Sequence, residues 1–192
     1  RIIQCLEYRG ALWLGTSSGL LEFDSATNKV RNRWLQLGHD LEDLGPYDRV
    51  GVYDLMEDRK GKLWFSTNII GIWNYDPDSK GVTRVEKRPN SNSPNSFPAH
   101  ARITQDQHGT IWIGASDYLG GVLRFDEDSP LIEKSHYDHI MGQTFDILSD
   151  REGTLWVASR EGLFRLRPMP FDSISFDGVG SRSGVRSIVE AP

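Results

Sequence analysis

The sequence predicts an all-β fold: a β-propeller arc of four four-stranded blades plus the first strand of a fifth. Three observations lead there. First, one pattern recurs four times. "EYRGALWLGTSSGLLEFD" (7–24), "EDRKGKLWFSTNIIGIWNYD" (57–76), "QDQHGTIWIGASDYLGGVLRFD" (105–126) and "DREGTLWVASREGLFRL" (150–166) each set a glycine three residues before a tryptophan. The glycines are Gly10, Gly61, Gly109 and Gly153, and the tryptophans Trp13, Trp64, Trp112 and Trp156, spaced by 51, 48 and 44 residues. A multi-position pattern at such a period is the mark of a repeat architecture. Second, the segment around each tryptophan ("LWLG", "LWFS", "IWIG", "LWVA") is apolar on both faces, so it must lie between two other layers. Third, "SRSGVRSIVE" (181–190) repeats the character of the opening "IIQCLE", so the chain opens and stops at the same phase of the repeat.

Each repeat reads as four strands. The first is short and imperfectly alternating: "IIQCLE" from Ile2, "VYDLMED" from Val52, "ARITQD" from Ala101 and "TFDILSD" from Thr144. A turn follows, "DRKG", "DQHG" or "DREG"; Asp can bond the backbone two residues on and Gly accepts positive φ, which suits a tight hairpin. The second strand is the tryptophan segment. The residue two after Trp is always small (Gly15, Ser66, Gly114, Ala158), as close packing there would require. After a polar loop the third strand ("LLEFD", "IWNYD", "VLRFD", "LFRLR") places residues such as Leu21 and Phe23 on one face, since strand periodicity is two. A second turn, with Pro77 or Pro130 in two of the repeats, leads to a more polar fourth strand around "VRNRWLQL", "VTRVEKR" and "LIEKSHYD". Four antiparallel strands per unit at this period describe a propeller blade. Leucine-rich and ankyrin repeats are shorter and TPR units are helical. The blades are expected at approximately 1–48, 49–99, 100–142 and 143–183, with an opening strand at 184–192. Such an arc belongs to a larger propeller, whose remaining blades are the expected partners of its two apolar end faces.

The chain has 192 residues and a formal net charge of −5 with both signs scattered, which speaks against nucleic-acid or anionic-membrane binding through a basic patch. There is no run of 18 apolar residues, so no direct membrane insertion is expected. The single cysteine, Cys5, rules out an internal disulfide framework and reads as a buried small apolar residue. The start at Arg1 is expected for a piece of something longer.

The composite D-x-x-G-x-L-W-x-[GSA]-[TSA]…G-L-x-x-[YF]-D, with "SGVRSIVE" as a further first strand, resembles the two-component regulator propeller repeat over essentially the whole chain. "EYRGALW" departs from it in lacking the turn Asp: counting back from Gly10 puts Glu7 in its place, counting along the strand puts Tyr8 there with a turn one residue short. The loops in "TNIIGIW" and "SDYLGGV" are longer than the usual form. The resemblance implies the extracytoplasmic, periplasmic sensor region of a bacterial hybrid histidine kinase, many of which sense oligosaccharides, with a histidine kinase or diguanylate cyclase output on domains beyond this chain. It implies a small carbohydrate as ligand, signal relay across the membrane, and a homodimer through the parent receptor. No cofactor and no catalytic role are expected of the segment itself.

Candidate ligand-binding residues lie on the loops that join successive blades and on those between second and third strands, which collect at one end of a propeller. They are Tyr47, Arg49, Asn95, His100, Arg102, Tyr118 and Arg160. Aromatic platforms among amide and guanidinium groups suit a polyhydroxylated ligand through stacking and bidentate hydrogen bonds. Asp58, Asp106 and Asp150 recur one per turn, where a calcium site needs about six oxygens from close positions, so turn formation is the expected role. "SHYDH" sets His136, Asp138 and His139 together in a zinc-like spacing, but on a polar outer strand, and no metal site is expected. The repeat tryptophans have apolar flanks and read as core. Trp73 stands where other repeats have Leu or Phe and reads as packing; Trp34 has no equivalent in the other repeats. Two other functions are compatible with the pattern: a streptogramin-lyase-like propeller enzyme, for which only His100 and His139 lie near the right loops, and a non-catalytic interaction scaffold.

Overall fold

The alternation in each repeat folds into one antiparallel sheet. The computed structural model describes residues 1–33, 50–68, 70–85, 100–115, 121–126, 129–134 and 142–166. Blade 1 contains β1 (Ile2–Tyr8), β2 (Ala11–Thr16), β3 (Gly19–Asp24) and β4 (Lys29–Asn32). Blade 2 contains β5 (Val52–Glu57), β6 (Leu63–Thr67), β7 (Ile72–Asp76) and β8 (Gly81–Arg84). Blade 3 contains β9 (Arg102–Gln105), β10 (Ile111–Gly114), β11 (Val122–Asp126) and β12 (Ser129–Lys134). Blade 4 contains β13 (Thr144–Ser149), β14 (Leu155–Ser159) and β15 (Gly162–Leu166). In each sheet the strands neighbour one another in chain order, and among the described residues there is no helix. The proposed opening strand 184–192, Trp34 and the "SHYDH" residues His136, Asp138 and His139 lie outside the described residues.

The hairpin between first and second strands shows what the Asp, Gly and Trp are for. In blade 2, Asp58 Oδ1 accepts the N–H of Lys60 at 2.9 Å and of Lys62 at 2.8 Å, while Oδ2 accepts the Trp64 indole N–H at 2.7 Å. Asp106 does the same for His108, Thr110 and Trp112, and Asp150 for Glu152, Thr154 and Trp156. One carboxylate therefore satisfies two turn amides and the one polar atom of a core indole, which would otherwise be stranded. These bonds, with the Trp156 indole foremost, hold the Asp150 carboxyl below the ordinary range. Blade 1 lacks the Asp and uses a shorter turn. Tyr8 pairs with Ala11, and Arg9 and Gly10 take φ of 49° and 76°, the two positive values of a type I′ hairpin. Leu6 lies opposite Trp13 as Met56 lies opposite Trp64, so Tyr8 holds the position of Asp58. Its ring sits edge-on to Trp13 at 5.7 Å and its hydroxyl donates to Gly61 O at 2.7 Å, in the next blade's turn. Burial pushes the Tyr8 phenol up to about 12.

Blades stack through two unlike faces. Trp64 shares a core with Ile103, Ile111 and Ile113 of blade 3, while Leu63 and Phe65 on its other side share one with Trp13 and Leu20 of blade 1. Trp112 packs toward Leu155 and Val157 of blade 4. Blade 2 thus presents its repeat tryptophan forward and the residues flanking it, Leu63 and Phe65, backward. The small residue after Trp sits where the next blade's first strand crosses. A Cβ on Gly15 would lie 2.9 Å from Val52 O, and one on Gly114 would lie 2.5 Å from Thr144 Cγ2. At the same position the Ser66 hydroxyl donates to Ala101 O at 2.6 Å.

Burial of both faces of the second strand is complete only inside the arc. Every residue of β6 is buried. In β2, Leu12 is 36% exposed, because nothing described packs on the backward face of blade 1. Cys5, expected to be buried, is exposed on that same face; its neighbour Leu6 takes the inward position against blade 2. The exposed large apolar residues among those described (Ile2, Leu12, Val30, Phe145, Leu148, Leu163) all belong to blades 1 and 4.

Candidate functional site

The first strands pack side by side in the order β1, β5, β9, β13 and so line the inner edge of the arc. Their starts lie at the end where blade-joining segments and second-to-third-strand loops meet. Ile2 pairs with Thr16, Val52 with Thr67 and Thr144 with Ser159, the last residues of the second strands. Threonines fasten this end. Thr16 and Thr67 hydroxyls donate to Gly19 O and Gly71 O, and Thr144 crosses blades to donate to Gly121 O at 2.9 Å.

Three of the four first strands carry an irregularity just inside this end, at Ile2/Gln4, Val52/Asp54 and Thr144/Asp146. The extra residue in the last two is aromatic, Tyr53 or Phe145. A bulge leaves its extra residue unpaired and re-aims its side chain; here Tyr53 is half-buried and Phe145 is 54% exposed. His100, at the approach to β9 with φ of 52°, donates its N–H to Thr67 O and sets its ring edge-on to Tyr53 at 4.1 Å. Arg102 lies among them. Its Nη1 donates to Tyr53 O at 2.7 Å and its Nε to Phe145 O at 3.4 Å.

Beneath this group sits Asp54, buried. Its Oδ2 accepts the Ile103 N–H at 2.7 Å, its Oδ1 accepts from Gln4 Nε2 at 3.4 Å, and Arg102 Nη1 stands 3.7 Å from Oδ1. Burial pushes the Asp54 carboxyl up to about 6 and the Asp146 charge adds to this, against the opposing pull of the Ile103 amide and the Arg102 guanidinium.

Of the seven loop residues singled out by sequence, the structure brings His100 and Arg102 together. Arg160 lies on the β14–β15 turn, exposed, with its N–H donated to Gln143 O at 2.8 Å. Tyr47, Arg49, Asn95 and Tyr118 lie outside the described residues. Tyr53 and Phe145 were not singled out. The signal that could have found them is the shared "VYDL" and "TFDI": an aromatic between a buried β-branched residue and an Asp, one place ahead of the strand's regular alternation. Chemically the cluster offers a Tyr53–His100 ring pair and the exposed Phe145, with the Arg102 guanidinium bonded to the backbone carbonyls of Tyr53 and Phe145, groups suited to stacking and hydrogen bonding. Among the described residues no three His, Cys, Asp or Glu side chains converge as metal ligands.

Residues 47–68, from the approach to β5 to just beyond β6, match the family model described as two component regulator propeller, which bears out the resemblance seen in the sequence. No curated protein matches the chain. Among solved structures, the extracellular domain assigned to the hybrid two component system BT4673 from B. thetaiotaomicron aligns with a TM-score of 0.65 at 14% identity, over 85% of this chain and 21% of that one. The extracellular domain assigned to the hybrid two component system BT3049 from the same organism aligns at 0.59 and 21% identity, over 86% and 20%. The WD40 β-propeller domain of Doa1 aligns at 0.60 and 12% identity, over 85% and 49%. At these identities the likeness is one of fold, and the fold is a β-propeller. The chain spans about a fifth of the length of the first two.

Proposed function

We propose that this chain is a segment of the extracytoplasmic, periplasmic ligand-sensing propeller of a bacterial two-component receptor of the hybrid histidine kinase kind, that its ligand is an oligosaccharide, and that binding is relayed across the membrane to a kinase output carried elsewhere. In this reading the segment binds and does not catalyse. The observation that carries it is the two component regulator propeller repeat at 47–68, because that same stretch supplies Tyr53 and Asp54 of the cluster at the blade-joining end. The fold shared with extracellular domains assigned to such systems supports it. So does the chemistry of Tyr53, His100, Phe145 and Arg102, since aromatic faces stack on the apolar faces of sugar rings while a guanidinium bonds hydroxyl pairs. The exposed forward face of blade 4 and backward face of blade 1 fit a chain whose remaining blades cover both.

The test is a thermal melt of the complete parent propeller against a panel of oligosaccharides. A ligand that binds only the folded state raises its melting temperature. A shift of several degrees with one sugar, lost in Tyr53→Ala and Phe145→Ala, is the expected result. Flat melts across the panel would remove the carbohydrate reading and leave a scaffold or a sensor of something else.

A further inference from the structure

Gln4, Asp54, Arg102 and Asp146 occupy one register position on the four inner strands. Each lies opposite the small residue of its second strand, Gly15, Ser66, Gly114 and Ala158 respectively. From this row the side chains reach across blade boundaries. Gln4 of blade 1 meets Asp54 of blade 2; Asp54 accepts the Ile103 N–H of blade 3; Arg102 of blade 3 bonds Tyr53 O behind it and Phe145 O ahead of it. All four blades are therefore tied through three side chains, Gln4, Asp54 and Arg102, and the carbonyls that Arg102 holds belong to Tyr53 and Phe145, the two bulged aromatic residues at the joining end.

We propose that Asp54 and Arg102 form a proton-operated latch at the inner edge of the arc. With Asp54 ionised, a buried charge is held by one short bond from the Ile103 amide, a long one from Gln4 and a guanidinium that stands off at 3.7 Å, which does not make up for the water it has lost, and the seam of blades 2 and 3 is loosened. When the carboxylate takes up a proton from solvent, the desolvation cost of the buried charge disappears, which outweighs the lost attraction for Arg102 and the lost charge assistance of the amide bond, so the seam tightens. Arg102 is left with the carbonyls of Tyr53 and Phe145, so the aromatic surface is re-registered against a tighter joint. The geometry favours such a latch. The carboxyl is buried, its bond from the Ile103 amide is short and that from Gln4 long, and its counter-charge stands off at 3.7 Å. The groups that titrate around it are Arg102 on β9, which favours the ionised form, and Asp146 on β13, which opposes it. His100, on the approach to β9, lies against the Tyr53 ring. The contacts from β1 and β6 at this level are Gln4 and Ser66, which do not titrate. Burial sets Asp54 to change charge about two units above an ordinary aspartate.

The latch requires no ligand, so it can fail while the sensor reading stands, and the reverse. The probe is the proton itself, on the intact chain. Carbon-13 resonances of the side-chain carboxyls are followed by NMR from pH 4 to 8, together with amide exchange at Ile103 corrected for its intrinsic pH dependence. The expected result is an Asp54 midpoint near pH 6, with protection of the Ile103 amide rising by roughly tenfold at the same midpoint on acidification. Arg102→Gln should move that midpoint upward, and Asp54→Asn should leave Ile103 protection flat. An Asp54 midpoint in the ordinary carboxylate range, or Ile103 protection that does not rise at the Asp54 midpoint on acidification, overturns the proposal. Both readings come from the wild-type chain and do not depend on a variant folding.

Discussion

Ile72 and Leu163 occupy the same position of the repeat, opposite the small residue of the second strand, yet Ile72 is 0% exposed and Leu163 is 69% exposed. Leu20 and Val122 stand at this position in blades 1 and 3 and are sealed as Ile72 is. What separates Leu163 from the other three is the neighbour: each of them has a blade packed on its forward face.

Truncation at these two sites should therefore diverge. Ile72→Ala is expected to cost about 2–5 kcal/mol, as buried aliphatic deletions do, and Leu163→Ala less than about 0.5 kcal/mol in this chain. In a longer chain that carries a following blade, the Leu163 cost should rise toward the Ile72 value. Urea melts of both variants in both lengths check this.

The turn carboxylates should matter in proportion to how dry their tryptophans are. Asp58→Ala strands the indole N–H of a fully buried Trp64, and a stranded buried donor costs about 1–3 kcal/mol. Asp150→Ala should cost less, because the half-buried Trp156 can turn to water. A cycle pairing Asp58→Ala with Trp64→Phe should show positive coupling, since phenylalanine leaves no donor to strand. Additive costs would mean that the aspartate acts on the turn alone.

Close approach of blades should make Gly114 intolerant of even a methyl group. Its Cβ would fall 2.5 Å from Thr144 Cγ2, and overpacking of this kind costs about 1–3 kcal/mol. Thr144→Ser removes that methyl and keeps the hydroxyl that bonds Gly121 O. The pair Gly114→Ala with Thr144→Ser should recover most of the loss in a thermal melt, and failure to recover would place the strain in the backbone.

Asp54 should make stability depend on pH with a definite sign. Its carboxyl is pushed from 3.8 up to about 6 by folding, so the folded chain binds this proton more tightly than the unfolded one. The group's contribution is then fully present below about pH 4 and is lost as pH rises through about 6. Two units correspond to at most roughly 3 kcal/mol. The wild type minus Asp54→Asn stability difference, followed by urea melts from pH 4 to 7, should shift in favour of the variant as pH rises. A difference that is constant with pH would contradict this.

The repeat was legible because its determinants are local. Gly, Asp and Trp lie within a few residues of one another, and their bonds close inside one turn, as with Asp106 and Trp112. The small residue after Trp also announced itself, although what crosses it, Val52 or Thr144, lies in the next repeat. The candidate site was only partly legible. His100 and Arg102 stood out as loop-side polar residues. Tyr53 and Phe145 did not, because a bulge is a mismatch between two strands and shows in neither strand alone. Cys5 was misread for a related reason: its burial depends on a neighbour for blade 1 that no local pattern reveals.

The contrast between turns that close within a blade and cores that close only between blades has a dynamic consequence. Such a chain behaves as a row of nearest-neighbour units, in which each unit's stability is its own plus that of the seams on either side. Blade 2 is held by two seams and blade 4 by the one that gathers Trp112, Ile147, Leu155 and Val157. Opening should therefore begin at the ends and travel inward, and amide exchange should report a gradient of protection along the arc, highest in β6.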